Sequence, residues 1–431
     1  MASVSIESAL LERLEDDGYL QPTYRDYGIA NVPDTVVDLL GGRASTPLPD
    51  NTVVAARDGH ERSVEHVVMV VIDGFGWNRF GPLVAQSPTL QWLVDHGDVT
   101  PLTSTFPSET AAAMLTLYTG LQPVEHGQLG WFTYLTEVDR VGLSLPFTTV
   151  DGVDLDVAHG VHPSGLFDID VRVPLASRLD NLGVDVTFAQ PSGIHDSVTS
   201  RRACGPGRRR GFDTVDGGLS VVRATLERAD GPTYQQLYYP LVDTAAHREG
   251  THSLAYREAL FAVLEPLKRE LIDNLDPMVA QRTVLLVMAD HGHVDTDPET
   301  NVNLARLDAT GDIDLDRHLR RNGDGERIYL AGSPRNVQFY TREGHTEPLR
   351  RELERSLPLR TFTRAEYLAE GLFGHREPGP LFDHRAPDLI AVPRDSGLWY
   401  DDGELTLIGM HGGLHPHEML VPFVAVRLGP R

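Results

Sequence analysis

Lysine is all but missing from this 431-residue chain: Lys268 is the only one. Lys and Arg together number 38 against 62 Asp and Glu, a formal net charge of −24. Such an acidic, arginine-based surface repels itself in dilute buffer and is screened by salt, the pattern expected of a halophilic protein. It argues against a broad nucleic-acid or anionic-membrane footprint, which needs basic charge. Cysteine is also scarce. Cys204 stands alone, which excludes an intrachain disulfide. No apolar run approaches the ~20 residues of a membrane span. The opening residues have no basic n-region, no apolar h-region and no twin arginine. They read as a short acidic amphipathic helix, and the expectation is a soluble, cytoplasmic protein.

What the chain does have is a set of buried-looking apolar runs that end in chemistry. Asp73 follows VVMVVI, Asp243 and His247 follow QLYYPLV, Asp290 and His291 follow VLLVMA, and His411 sits in GMHGG. A carboxylate at the end of a buried strand is costly unless its charge is offset. Ligands of α/β proteins gather beyond the carboxyl ends of strands. Several such groups meeting at one sheet edge point to a metal site.

The apolar content of 41% supports a large core. Residues 1–62, rich in Asp, Gly and Pro, read as an entry segment. Residues 67–72, 184–189, 236–241 and 283–289 read as buried strands. Residues 105–119 read as a helix, with Thr105 or Ser108 as its cap, helix formers over 111–117, and a Gly120 stop. Residues 253–275 read as a long helix kinked at Pro266. The strand-helix rhythm breaks over 300–385, where 327–331 and 336–341 suggest a hairpin, so this stretch reads as an inserted cap-like lobe. Residues 389–392 and 419–426 return to strand character. The catalytic α/β domain is then expected over 63–299 and 386–431.

The motifs occur in a telling order: Ile72-Asp73-Gly74, Thr105-Phe106-Pro107, Thr119-Gly120-Leu121-Gln122-Pro123-Val124-Glu125-His126-Gly127, Asp243-x-x-x-His247, Asp290-His291-Gly292 and His411-Gly412. Each alone is weak. Together, in this order, the set resembles the type I phosphodiesterase/nucleotide pyrophosphatase branch of the alkaline phosphatase superfamily, over roughly residues 65–131, 234–293 and 405–426. The resemblance implies an α/β fold, with a mostly parallel central sheet sandwiched by helices and an inserted α+β lobe. It also implies hydrolysis of phosphodiester or nucleotide-type substrates with two divalent metals, zinc or else manganese. One metal would be held by Asp243, His247 and His411. The other would be held by Asp73, Asp290, His291 and the hydroxyl of Thr105, which would attack phosphorus to give a phosphothreonine intermediate.

The chain departs from the family pattern at two places. Ser108-Glu109 stand where T-F-P is commonly followed by Asn-His, and the helix from Thr105 is three residues longer before T-G-L. Trp131 stands where the diesterases carry a phosphate-binding Asn. Stabilisation of the phosphoryl oxygens would then fall to the Phe106 amide and the metals, with Trp131, Phe132 and Tyr134 available to stack on a leaving-group base. His126 and His293 are expected to support ligands rather than to be ligands.

Arg208–Arg210 read as a solvated basic loop, with capture of a second substrate phosphate as the functional alternative. Cys204-Gly205-Pro206-Gly207-Arg208 fits C-x-P-x-R, which resembles a sulfatase site, but it does not follow the first metal strand and leads into no helix. A phosphomonoesterase or phosphomutase of the same superfamily is the competing activity. The mutase branch calls for a G-N-S-E motif, and none is present. A non-catalytic binding module would be expected to have lost some of the seven ligand positions. Nothing in the sequence bears on oligomeric state.

Overall fold

The computed structural model describes residues 2–14, 18–57, 63–160 and 174–429. Parts of the expected entry segment, 15–17 and 58–62, lie outside the described residues. The molecule is built on two seven-stranded sheets. The first carries strands β1 (His66–Ile72), β2 (Asp98–Thr103), β3 (Asp185–Pro191), β4 (Arg208–Phe212), β5 (Thr233–Tyr239), β6 (Thr283–Met288) and β7 (Leu420–Arg427). Their order across the sheet is β2-β7-β6-β1-β5-β3-β4. Only β7 opposes the others; β6, β1, β5, β3 and β4 run parallel. Every residue of β1, β5, β6 and β7 is buried. The Val- and Leu-rich sequences of β1, β6 and β7 reflect cover on both faces. Fully burying each such side chain stabilises the fold by about 1.5–3 kcal/mol before chain entropy is counted. The expected α/β architecture is therefore the observed one.

Helices flank this sheet, and their ends follow the chemistry of their sequences. Ser253 caps Leu254–Leu267 by accepting the Tyr256 amide at 3.1 Å. That helix is shorter than expected. Pro266 has no amide to donate, and the chain continues as a wide π turn over Lys268–Asp273. Helix Ala2–Leu11 buries Ile6 and Leu10 in a cluster with Phe106, Val124 and Leu414.

The second sheet is antiparallel. It runs in the order Leu359–Thr363, Leu389–Pro393, Asn336–Phe339, Ala331–Ser333, Phe132–Leu135, Arg140–Leu143, Thr148–Thr149. The expected hairpin forms, but with its first strand at Ala331–Ser333 instead of 327–331, paired with Asn336–Phe339. The lobe is wider than the expected 300–385, because its sheet also recruits the segment after His126 and the strand at 389–393. Phe132, Val337, Phe339, Leu389, Ala391 and Trp399 share its core.

The arginine run is not a loop. It forms β4, the edge strand of the first sheet, three strands from β1. Arg208 pairs with Asp185 at 2.7 Å and Arg209 with Asp196 at 3.4 Å. A charged edge strand discourages pairing with another chain. Cys204, just before it, is buried.

Candidate metal centre and active site

Three neighbouring parallel strands, β6, β1 and β5, release their chains at the same sheet edge. Asp73 leaves β1, Asp290 and His291 leave β6, and helix Leu241–Glu249, one residue beyond β5, carries Asp243 and His247 four apart on one face. Strand register fixes the meeting point, with Ile72 beside Tyr239 and Val71 beside Met288. The fourth contribution arrives from far along the chain. Val294–Asp295 pair antiparallel with Gly409–Met410, which sets His411 beside His291 and His293. Gly74 makes the sharp exit from β1 at φ +73°; a Cβ there would sit 2.3 Å from the His293 ring.

The four imidazoles are oriented in one way. His247 Nδ1 lies 2.7 Å from the Gly409 carbonyl, His291 Nδ1 3.0 Å from that of Gly292, His293 Nδ1 3.1 Å from that of Gly74 and His411 Nδ1 3.2 Å from that of Ser108. A carbonyl accepts, so each Nδ1 carries the proton and each Nε2 presents a lone pair. These Nε2 atoms converge on carboxylates. Asp243 Oδ1 stands 2.9 Å from His293, 3.2 Å from His247 and 3.5 Å from His411. Asp73 Oδ1 stands 3.3 Å from His291 Nε2, and Asp290 Oδ2 3.7 Å. Donor atoms of Asp243, His291, His293 and His411 all lie within 4.8 Å of one another, as do those of Asp73, Asp290 and His291.

The electrostatics point the same way. Burial, then the charges of Asp290 and Asp243, push the Asp73 carboxyl well above the usual carboxylate range, although Tyr238 donates to it. Asp290 Oδ1 accepts the Gly74 and His291 amides, while its buried Oδ2 has no hydrogen-bond partner among the described residues. Burial would raise Asp243 too, but the His247 charge and hydrogen bond, helped by His293, hold it well below. His411 is driven well below the usual imidazole range by burial and by the neighbouring histidines. Burial holds His293 and His411 below the usual imidazole range, whereas Asp243, against burial, raises His247 to about 8. Crowded buried carboxylates beside such imidazoles form the donor set of a divalent cation, and an orphaned carboxylate oxygen is a free ligand position. The residues fit a divalent metal.

Seven positions were expected to carry this chemistry, and the structure brings six together: Asp73, Asp243, His247, Asp290, His291 and His411. Thr105 is not among them. It lies in the turn before the helix, fully buried, and its hydroxyl donates to the Pro107 carbonyl at 2.9 Å. The helix begins five residues later, at Thr110. There Thr110 Oγ1 lies 3.1 Å from His291 Nε2 and 3.5 Å from Asp73 Oδ1. The signal was the surplus length between Thr105 and Thr119, since a helix of Ala111-Ala112-Ala113 that ends at Gly120 starts best just before the alanines.

The expected substrate groups divide as well. The Phe106 amide is already used, donating to Tyr24 Oη at 3.0 Å. Tyr134 is buried in the lobe, where its ring packs 4.7 Å from that of Tyr340 and its hydroxyl donates to Asp139. Neither reaches the metal centre. Trp131 does line the cleft over the centre, with Phe132 beside it. His293 stands inside the ligand cluster, closer than the supporting role expected of it.

Sequence reasoning missed Glu109. It holds the N-cap position of helix Thr110–Thr119 yet makes no local cap. Its buried carboxylate instead accepts the Trp131 amide at 2.7 Å and the side-chain amide of Asn336. Burial raises it to about 7, against the pull of Ser333, Trp131 and Asn336. A cap residue that neglects its own helix marks a site built for another purpose.

A mostly parallel sheet whose adjoining strands deliver carboxylates and imidazoles to one edge is the architecture of the alkaline phosphatase superfamily, a class of metal-dependent phosphoester hydrolases. Residues 67–414 match the type I phosphodiesterase/nucleotide pyrophosphatase family, and the chain belongs to it. Among solved structures it resembles murine ectonucleotide pyrophosphatase/phosphodiesterase 5, as an inactive variant in complex with AMP. Identity is 16%, the TM-score is 0.60, and the match covers 84% of this chain and 87% of that one. Phosphonoacetate hydrolase from Sinorhizobium meliloti 1021, in complex with phosphonoformate, matches at 16% identity and TM-score 0.54, covering 83% and 89%. A comparison with curated proteins finds no match. No helix among the described residues is long and apolar enough to cross a membrane.

Proposed function

We propose that this chain hydrolyses small-molecule phosphodiesters with two divalent cations, zinc or manganese, through a covalent intermediate on Thr110. The carrying observation is the convergence of four Nε2 lone pairs and three carboxylates around the first hydroxyl of a helix. Asp243, His247 and His411, with His293 alongside, would hold one cation; Asp73, Asp290, His291 and Thr110 the other. Bound there, the pair supplies positive charge to the phosphoryl oxygens and lowers the cost of ionising a hydroxyl.

The chain's own residues supply the rest. Thr110 Oγ attacks phosphorus in line, the P–O bond to the leaving alcohol breaks, and the alcohol departs with the proton that the hydroxyl gave up. Water then attacks the phosphothreonine and restores the hydroxyl. Thr110 and Ala111 line the cleft, so the positive end of their ten-residue helix favours the phosphoryl oxygens. This replaces the role expected of the Phe106 amide.

The test compares two alanine variants on bis-p-nitrophenyl phosphate. Thr110→Ala is expected to lower kcat by about 10³-fold or more with metal content unchanged. Thr105→Ala is expected to retain turnover and to lose stability through its turn. Equal loss in both, or full activity in Thr110→Ala, overturns the assignment.

A further inference from the structure

The arginine strand has no part in the metal centre, and it borders a cavity of its own. Arg208 and Arg210 alternate on β4, so both side chains leave the same face. Thr187 of β3 pairs with Arg208 in register and shares that face. Helix Val215–Glu227 covers part of it, with Gly218 set against Phe212 and Leu237. Between the helix and the edge strand remains a groove of about 830 Å³. It opens at the amino ends of β3, β4 and β5, whereas the metal ligands follow the carboxyl ends of β1, β5 and β6. The seven residues of β5 set the two ends roughly 20 Å apart, too far for one small phosphodiester to bridge.

Three guanidinia line the groove, those of Arg208, Arg210 and Arg228, against the two carboxylates of Asp185 and Asp230. This local excess of positive charge stands in a chain whose net charge is −24. Asp185 already engages Arg208 at 2.7 Å. Arg210 and Arg228 make no ion pair or side-chain hydrogen bond among the described residues. Thr187 lines the same groove, is 5% exposed, and has no partner for its hydroxyl among the described residues. A buried hydroxyl without a partner costs free energy until something accepts from it. Guanidinium forks beside a hydroxyl donor suit the oxygens of a phosphoryl dianion. Val221, Ala224 and Pro232 add an apolar flank, which suits an organic group attached to that dianion.

We infer that this groove is a second binding site, separate from the metal centre, for a small organic phosphomonoester. Arg210 and Arg228 pair with its oxygens, Thr187 donates to it, and its organic group lies along the helix. The site stands whether or not the hydrolase reading does.

Phenylphosphonate is the probe, because it is dianionic in mild alkali and has no ester bond to cleave. NMR of the metal-loaded full chain, labelled at glycine, reports where it binds. Gly183, Gly211 and Gly231 line the groove, while Gly74 and Gly292 adjoin the metal ligands. The groove glycines are expected to shift with a Kd of about 1 mM or tighter. Arg210→Gln and Arg228→Gln should each weaken binding by about tenfold, and Thr187→Val by about threefold, with turnover of bis-p-nitrophenyl phosphate unchanged. Asp230→Asn should tighten it. Inorganic phosphate lacks the apolar group and benzenesulfonate the second charge, so each should bind about tenfold more weakly. Shifts confined to Gly74 and Gly292, or groove shifts that the double variant Arg210→Gln/Arg228→Gln retains, overturn the inference. Inorganic phosphate bound as tightly as phenylphosphonate overturns its organic part.

Discussion

The two walls of the cleft were made by different means. The metal wall comes from the ends of three adjoining parallel strands, where each ligand sits within a few residues of a buried apolar run. The substrate wall comes from Trp131 and Phe132, Ser333 and Pro334, and the stretch from Glu404 to Met410, distant segments brought together by the second sheet and by the pairing of Gly409–Met410 with Val294–Asp295. The metal wall is rigid because its register is locked by the sheet. The substrate wall holds its shape through side chains, above all Glu109, which ties the Trp131 amide to Asn336 of the lobe. Chemistry thus rests on the fold itself, and selectivity rests on contacts that can change with less disturbance.

The largest expected effect breaks the metal wall. Asp290→Asn removes the orphaned carboxylate oxygen and one of the buried charges that crowd Asp73. Activity should fall by about 10³-fold, more than outer partners of a metal site typically cost. The chelated variant should melt higher than chelated wild type, because an unpaired buried charge is gone. Metal analysis and thermal melts in EDTA read both arms, and an unchanged melting temperature would remove the charge-crowding argument.

The next prediction cuts the joint between the walls. Arg335, in the lobe hairpin, is fully buried and donates to Glu418 at 2.7 Å, and also to the Ser396 and Arg394 carbonyls. Glu418 in turn accepts the Gly413 and His415 amides beside the His411 loop. Arg335→Met leaves that carboxylate buried and unpaired and should cost about 3–5 kcal/mol in urea unfolding.

Glu109→Gln should be milder. It keeps the shape but weakens the hold on the Trp131 amide, so KM should rise by about tenfold with metal content intact. A loss confined to kcat would move Glu109 to the chemical wall.

The smallest effect lies far from both walls. Burial would raise the Asp34 carboxyl, but the amides of Thr46 and Ser45 and the Arg178 guanidinium hold it below its usual value. A depressed carboxyl stabilises the fold above its unfolded pKa of about 3.9, and the contribution fades as pH falls through the folded value. Asp34→Asn should therefore melt a few degrees lower at pH 7, with the gap to wild type closing in acid.

Legibility in the sequence follows the same division. The strands, the parallel sheet and six candidate ligand positions could be read because a buried strand and the residue that ends it are neighbours in the chain. The helix start reads five positions early, at Thr105, because T-F-P draws it forward, whereas the alanine run marks where it begins. The lobe was drawn too narrowly, since nothing near 132–135 signals that its partner lies near 332. Glu109 was invisible for the same reason: its partners lie 22 and 227 residues away. The acidic composition remains a proposal about environment, for which a melting temperature that climbs steadily with KCl is the expected sign.

The position of β7 has a consequence for assembly. Leu420–Arg427 inserts between Asp98–Thr103 and Thr283–Met288, so the last of the seven strands in sequence completes the interior of the sheet rather than its rim. Until it enters, β2 has no neighbour on its inner side, and the sheet cannot close from strands that precede it in the chain.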